Sequence, residues 1–514
     1  MLMAMVLVCP MLAQDMAPVL SDVTLSLDGS TVLIQYDLSH PQGTPAEVRL
    51  FAGLAGTGQL DLPTGSAAGA VGLGVEPGTG KTIVWEIGPW LADPTVSGIE
   101  FRLVAEDPNP VDIQAVVDGV DSNRIRNDLA QLEGIRHRNA DPGHLAAVQA
   151  RLVDSLSAWG WLVSEHLFPY GSYTGRNILA QRPGITSPDT AFLVGAHYDG
   201  VAVTPGADDN ASGVAGCLEV MRVLAPYHFR NTLRMAAFDL EEVGLVGSGR
   251  YVQEMIPDEE TIAGFLNLEM VGYYTEAPNS QTLPAGFQLL YPDLYDELAA
   301  EGFRGDFLNN VGEAVHSVAL MSQFAAAAAE HVPSLKVKSL AAPTAWQTLT
   351  PDLGRSDHAP FWVDGIPALM LTDGSEFRNP NYHTPNDTLG SLHFTFLSSV
   401  VKATVATLAT LADIRLADTW EGTLTWPVAV RSVSGLCRLV VVPNPAATTL
   451  QLRWPDCLRT DAQVLTLSDM DGKVVHRQSV APDRTDHCVL QVSDLPRGSY
   501  VLRLGSAQAV VLLQ

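Results

Sequence analysis

Five short segments place acid or imidazole side chains just after apolar runs. They are GAHYDG (His197, Asp199), PGADDNASG (Asp208, Asp209), FDLEEVGLVGS (Glu241, Glu242), NLEMVG (Glu269) and NYHTPNDT (His383). Adjacent carboxylates at the end of a buried strand, as at Glu241 and Glu242, are costly unless something positive compensates them. A pair of metal ions would do so. Imidazole and carboxylate together suit zinc, and one bridging carboxylate can hold two ions roughly 3.5–4 Å apart. Neighbouring side chains at a strand end can point apart, so one of Glu241 and Glu242 can ligate while the other takes a proton from water. Asp199, two residues beyond His197, is placed to fix that imidazole's tautomer and orientation. Asp208 and Asp209 lie on a Gly-rich turn ahead of a helical stretch, where a helix cap is the competing use of an Asp.

These segments need a scaffold that gathers strand ends. TAFLVGAHYDG, TLRMAAFDLEE, AGFLNLEMVG and PALMLTDG read as buried strands. SGVAGCLEVMRVLAPY, GLVGSGRYVQEM and the stretch from Leu392 read as helices. Such alternation predicts an α/β fold, a mixed and mostly parallel sheet flanked by helices, with ligand sites at the carboxyl ends of its strands. Residues 275–350 interrupt the alternation with an insertion expected to form one wall of a cleft. The segment 392–412 is apolar but carries Lys402 and several Ser and Thr, which reads as a buried helix rather than a membrane span.

Flanking segments have a different rhythm. Residues 17–107 carry short alternating runs between Gly, Pro and Asp turns, which predicts an N-terminal β-sandwich. From Leu439 the chain is again strand-rich, a C-terminal β-sandwich, with Asp471-Gly472 as a hairpin turn. Residues 1–13, MLMAMVLVCPMLA, read as a signal peptide, although no Lys or Arg precedes the apolar core.

The 514 residues suffice for about three domains of roughly 150 residues each. A formal charge of −27 repels nucleic acid and anionic lipid, so neither is an expected partner. The five cysteines show no zinc-binding spacing. Cys217 reads as a buried small side chain, and Cys457 with Cys488 as a pair available after export. No GxSxG surrounds Ser212 or Ser356, which argues against a serine hydrolase. Asp357 and His358 of SDHAPFW, and Asp387, are read as supporting residues rather than ligands.

Taken together, GAHYDG, PGADDNASG, DLEEVGLVGS, NLEMVG, SDHAPFW and YHTPNDT resemble the co-catalytic dizinc peptidase family. That family contains secreted bacterial leucyl aminopeptidases, glutamate carboxypeptidases and, more distantly, glutaminyl cyclases. The resemblance runs from Val116 to about residue 415. It implies two zinc ions bridged by Asp208, with His197 and Glu269 completing one site, Glu242 and His383 the other, and Glu241 as general base. At Glu269 the best-known aminopeptidases of that family carry Asp.

Residues 437–514, with VVPNPA, LSDMDGKVV and LPRGSYVLRL, resemble the sorting domain of the type IX secretion pathway. This implies export across the outer membrane, secreted or surface location, and the secretion machinery as a partner. The expectation is a monomeric, exported zinc exopeptidase acting on peptides, most simply an aminopeptidase. A carboxypeptidase of the same fold, a glutaminyl cyclase-like acyltransferase and a non-catalytic adhesin are the alternatives.

Overall fold

The computed structural model describes residues 16–513 apart from 92, 94, 427–429, 432–437, 443, 454–462, 470–472, 481–486 and 505–506. The expected leader at 1–13, the Asp471-Gly472 turn and the Cys457 side of the Cys457–Cys488 pair lie outside the described residues. The chain divides into two compact units, residues 109–416 and residues 17–108 with 417–514.

Residues 109–416 form an eight-stranded mixed sheet. Its strands are β1 (Leu162–Tyr170), β2 (Tyr173–Arg182), β3 (Ser187–His197), β4 (Asn231–Phe238), β5 (Thr261–Leu268), β6 (Leu308–Glu313), β7 (Val337–Ala342) and β8 (Ala368–Thr372). Across the sheet they run β7-β6-β8-β5-β3-β4-β2-β1. The central four, β4, β3, β5 and β8, are mutually parallel, whereas β6 is antiparallel to β8 and parallel to β7. Side chains alternate between two cores: Phe192, Val194 and Ala196 of β3 face one, and Ala191 and Leu193 the other. Burial on both faces explains why the central strands read as continuous apolar runs.

The first core is covered by α1 (Ser122–Leu132), α2 (Pro142–Ala158), α3 (Gly213–Leu224), α5 (Val318–His331) and α6 (Phe394–Leu411), while α4 (Val246–Glu254) packs on the opposite face. Among the described residues α6 alone is long and apolar enough to cross a membrane, and 67% of it is buried within this unit. It packs against α3 and α5, the place of a core helix.

In the other unit, strands Val19–Asp28, Thr31–Ser39, Gly78–Glu86 and Ala68–Gly69 form one sheet. Strands Ala46–Leu54, Gly72–Val75, Gly98–Glu106 and Ala417–Thr425 form a second. Both contribute to one core, with Ile34, Tyr36 and Trp85 from the first and Val48, Phe101 and Leu103 from the second. The fourth strand of the second sheet comes from beyond the α/β unit: Ala417–Thr425 pairs antiparallel along the whole of Gly98–Glu106. Composition assigned residues 417–425 to no module. Two further four-stranded sheets lie between residues 430 and 513 and share a core that includes Leu439, Leu450, Leu467 and Leu502.

Candidate metal centre

All five donor segments meet at the carboxyl end of the parallel strands. His197 is the last residue of β3, Glu241 and Glu242 follow β4, Glu269 follows β5, and His383 lies in the loop after β8. Three non-glycine residues here have left-handed backbone: Leu240 (φ 59°), Met270 (φ 52°) and His383 itself (φ 55°). Such backbone costs of order 1–3 kcal/mol per residue and persists where packing over-determines it, typically at functional sites.

The carboxylate at the centre is Asp209. Its Oδ1 lies 3.4 Å from His197 Nε2, which is also 3.4 Å from Glu269 Oε2. Its Oδ2 lies 2.9 Å from His383 Nε2, which is 3.2 Å from Glu242 Oε2. Each oxygen of Asp209 thus faces a different imidazole with its own second carboxylate, and donor atoms of His197, Asp209 and Glu242 also lie within 4.8 Å of one another. A tetrahedral zinc with bonds near 2.1 Å has ligand–ligand edges of about 3.4 Å; the two separations at His197 equal that figure, and those at His383 are 2.9 and 3.2 Å. Among the described residues, Asp209 Oδ2, Glu242 Oε1 and His383 Nε2 are buried atoms with no hydrogen-bond partner.

Asp208, expected to bridge, does not face this cluster. Its Oδ1 accepts from Gly272 N at 2.9 Å and its Oδ2 from Asn379 Nδ2 at 2.7 Å, and the side chain is hydrogen-bonded to Asp373. The backbone explains the correction. Asp209 (φ −102°, ψ 96°) and Asn210 (φ −127°, ψ 44°) leave the helical conformation, and an extended residue sends its side chain away from that of its neighbour. The two carboxylates of the turn therefore serve opposite sides. Burial, then the nearby Asp373, raises the Asp208 carboxyl well above the usual carboxylate range, in keeping with a neutral acid sharing a proton.

Electrostatics distinguish the cluster further. Burial pushes Glu242 up to about 7, with Asp209 adding to the rise. Burial also raises Glu241 well above its ordinary value; His197 opposes this, while Glu269, Asp357 and Glu242 add to it. Burial would depress His383, but the facing carboxylates of Asp209 and Glu242 carry it up to about 10. His197 is likewise raised against its own burial by Glu241, Glu269, Asp199 and Asp209. Carboxylates outnumber the two imidazoles, and a divalent cation is the compensation such a site lacks. The donor set therefore fits the metal that its chemistry implies.

Supporting contacts fix the donors. The Asp199 carboxylate accepts from Glu241 N (3.0 Å) and Glu242 N (3.3 Å), and Oδ1 lies 3.5 Å from His197 Nδ1. Asp199 therefore locks the Glu-Glu turn as well as facing the imidazole. Ser356 Oγ donates to Glu269 Oε2 at 2.6 Å and Asn210 Nδ2 to the same oxygen at 3.3 Å. Asp387 accepts from the backbone N–H of both Asp208 (2.9 Å) and Asp209 (3.1 Å). His358 Nε2 meets Leu353 O at 2.8 Å, and neither it nor Asp357 belongs to a metal-competent group among the described residues. Sequence reasoning missed the roles of Asn210 and Ser356; a small polar residue next to each donor motif was the available signal.

Glu241 lies with His197 and Glu269 in a group whose ligand atoms are within 4.8 Å of one another, and it lines a cavity of about 100 Å³. The cavity floor is the face of β8, β6 and β7. Register aligns Met370, Val311 and Leu340 in one apolar row, and Thr372, Asn309 and Lys338 in a polar one. Leu283, Phe287 and Leu294, from the expected 275–350 insertion, form a wall. Two cations line the cavity, and both are paired: Lys338 with Glu297 and Glu301, Arg355 with Glu376 and Asp352.

Residues 177–408 match the profile of Peptidase family M28, and residues 440–512 that of the Secretion system C-terminal sorting domain. Over 247 residues the chain is 33% identical to "Uncharacterized protein YfbL" of Escherichia coli (strain K12), covering 45% of this chain and 70% of the relative. It is 25% identical over 426 residues to "Leupeptin-inactivating enzyme 1" of Streptomyces exfoliatus, covering 75% of this chain and 84% of that one. It is 31% identical over 251 residues to "Probable lipoprotein aminopeptidase LpqL" of Mycobacterium tuberculosis, covering 44% and 43%.

Proposed function

The chain belongs to peptidase family M28, the zinc metallopeptidases, and from that premise we propose that it is a two-zinc aminopeptidase releasing N-terminal residues from extracellular peptides. Its C-terminal sorting domain directs it to the type IX pathway and so to the cell surface or the medium. The observation that carries the two-ion reading is the division of Asp209, one oxygen facing His197 and Glu269, the other facing His383 and Glu242. One ion would be held by each imidazole and its second carboxylate, with Asp209 shared.

When bound, the ions would lower the pKa of water and polarise the scissile carbonyl. Glu241 is the carboxylate that makes none of these contacts to Asp209 or His383, and burial raises its affinity for a proton, as suits a general base. It takes the proton of the attacking water and delivers it to the leaving amine. The β8-β6-β7 floor receives the side chain of the residue released, with Met370, Val311 and Leu340 excluding water from one row. Direction is supported by charge. The acidic cluster attracts a free ammonium, and the two cations of the cavity wall are engaged by carboxylates rather than offered to a substrate's terminal carboxylate. A relative named as an aminopeptidase agrees with this direction.

The test pairs the zinc-loaded protein with peptides blocked at one end. The native enzyme should cleave carboxyl-blocked peptides and ignore amino-blocked ones, and the reverse preference would overturn the direction. Glu241→Gln should retain its zinc while turnover falls roughly 10²–10⁴-fold, the usual worth of a general base. Unimpaired turnover would remove Glu241 from that role.

A further inference from the structure

Arg136 lies outside the segment matched by the family profile, between α1 and α2, and is 1% exposed. Among the described residues no carboxylate forms an ion pair with it. Instead its guanidinium donates to six backbone carbonyls. Nε reaches Tyr198 O (2.9 Å); Nη1 reaches Leu132 O (2.9 Å), Pro205 O (3.0 Å) and Gly134 O (3.3 Å); Nη2 reaches Gly206 O (2.8 Å) and Asp209 O (3.1 Å). Its own carbonyl accepts from Gly200 N at 2.9 Å. Two of these acceptors flank the donors of the metal centre: Tyr198 follows His197, and Asp209 is the shared carboxylate.

A buried guanidinium without a paired carboxylate is expensive, and arginine's rigid fork is suited to fixing several acceptors in one plane. Arg182 offers the contrast. It too donates to backbone carbonyls, Ala225 O, Tyr227 O and Gly160 O, and stacks on Trp161, but none of these adjoins the donor cluster. Gly206 shows how tightly the Arg136 contact is built: a Cβ there would stand 2.7 Å from Nη2 and 2.3 Å from Asp209 O, at a φ of +60°.

We propose that Arg136 is a positioning residue for the metal pair: it clamps the peptides after His197 and at Asp209, so that the Asp209 carboxylate faces both imidazoles. The inference rests on the two-zinc reading above. Lysine in its place keeps the charge but has three donors and no fork.

Zinc stoichiometry and affinity, measured by competition with a chromophoric chelator, and the cobalt(II) absorption spectrum separate this role from a purely structural one. The native protein should bind two ions; binding of one or none would overturn the two-zinc reading and leave nothing for Arg136 to position. With that result in hand, Arg136→Lys should fold, lose at least about tenfold in affinity for one or both ions, as outer contacts of metal sites do, and show a changed cobalt spectrum. Arg182→Lys should lower the melting temperature and leave both affinities and the spectrum unchanged. Native stoichiometry, affinities and spectrum in Arg136→Lys would overturn the proposal while the two-zinc reading stood. Should that variant fail to fold, Gly206→Ala displaces the same fork, and native affinities there would overturn it equally.

Discussion

The two halves of the candidate metal centre are built differently. His197 and Glu269 sit at strand ends and are buried, and the Glu269 oxygen that faces His197 also receives Ser356 and Asn210. The other half stands on loops. The His383 side chain is 34% exposed, its ring stacks on Tyr382 at 3.8 Å, and Glu242 Oε1 and His383 Nε2 have no hydrogen-bond partner among the described residues. In one half neighbouring hydroxyl and amide groups hold the donors; in the other the donors face mainly each other. Preorganised donors bind more tightly, because less ordering remains to be done on binding.

The largest expected effect comes from the residue common to both halves. Asp209→Asn should lower affinity for both ions by more than the roughly 10–100-fold that a change outside the ligand sphere costs, and activity should vanish with it. Asp208→Asn, one residue away, replaces a carboxyl that faces Gly272 and Asn379 with a near-isosteric amide and should leave zinc content intact; equal losses in the two variants would overturn the bridging role of Asp209. Next in size is the asymmetry itself. His383→Ala should retain one zinc at close to native affinity, and release of both ions at the same chelator concentration would erase the distinction between the halves. The smallest effect is expected from Ser356→Ala, about a tenfold weakening confined to the inner ion. A loss confined to the outer ion would reverse the picture.

Much of this arrangement was legible in the sequence, for a physical reason. In a parallel sheet buried on both faces, strands are apolar throughout, so a charged residue at the end of such a run stands out, and His197, Glu242 and Glu269 could be picked by inspection. The choice between Asp208 and Asp209 could not. The residues are identical, adjacent and both fully buried, and only the extended backbone at Asp209 separates them. Arg136 was equally hidden, because its partners are carbonyls that every residue possesses. The pairing of Ala417–Thr425 with Gly98–Glu106 was hidden by distance along the chain, since alternation announces a strand but not its neighbour.

That last pairing makes order of synthesis and order of completion diverge. Gly98–Glu106 pairs on one side with Ala46–Leu54, near it in sequence, but the strand on its other edge is encoded only after the whole of residues 109–416. An unpaired edge is a template for wrong partners, and contacts this remote in sequence are slow to form. A cut anywhere within residues 109–416 of the folded protein would leave Gly98–Glu106 and Ala417–Thr425 stitched together as neighbouring strands without a covalent link between them.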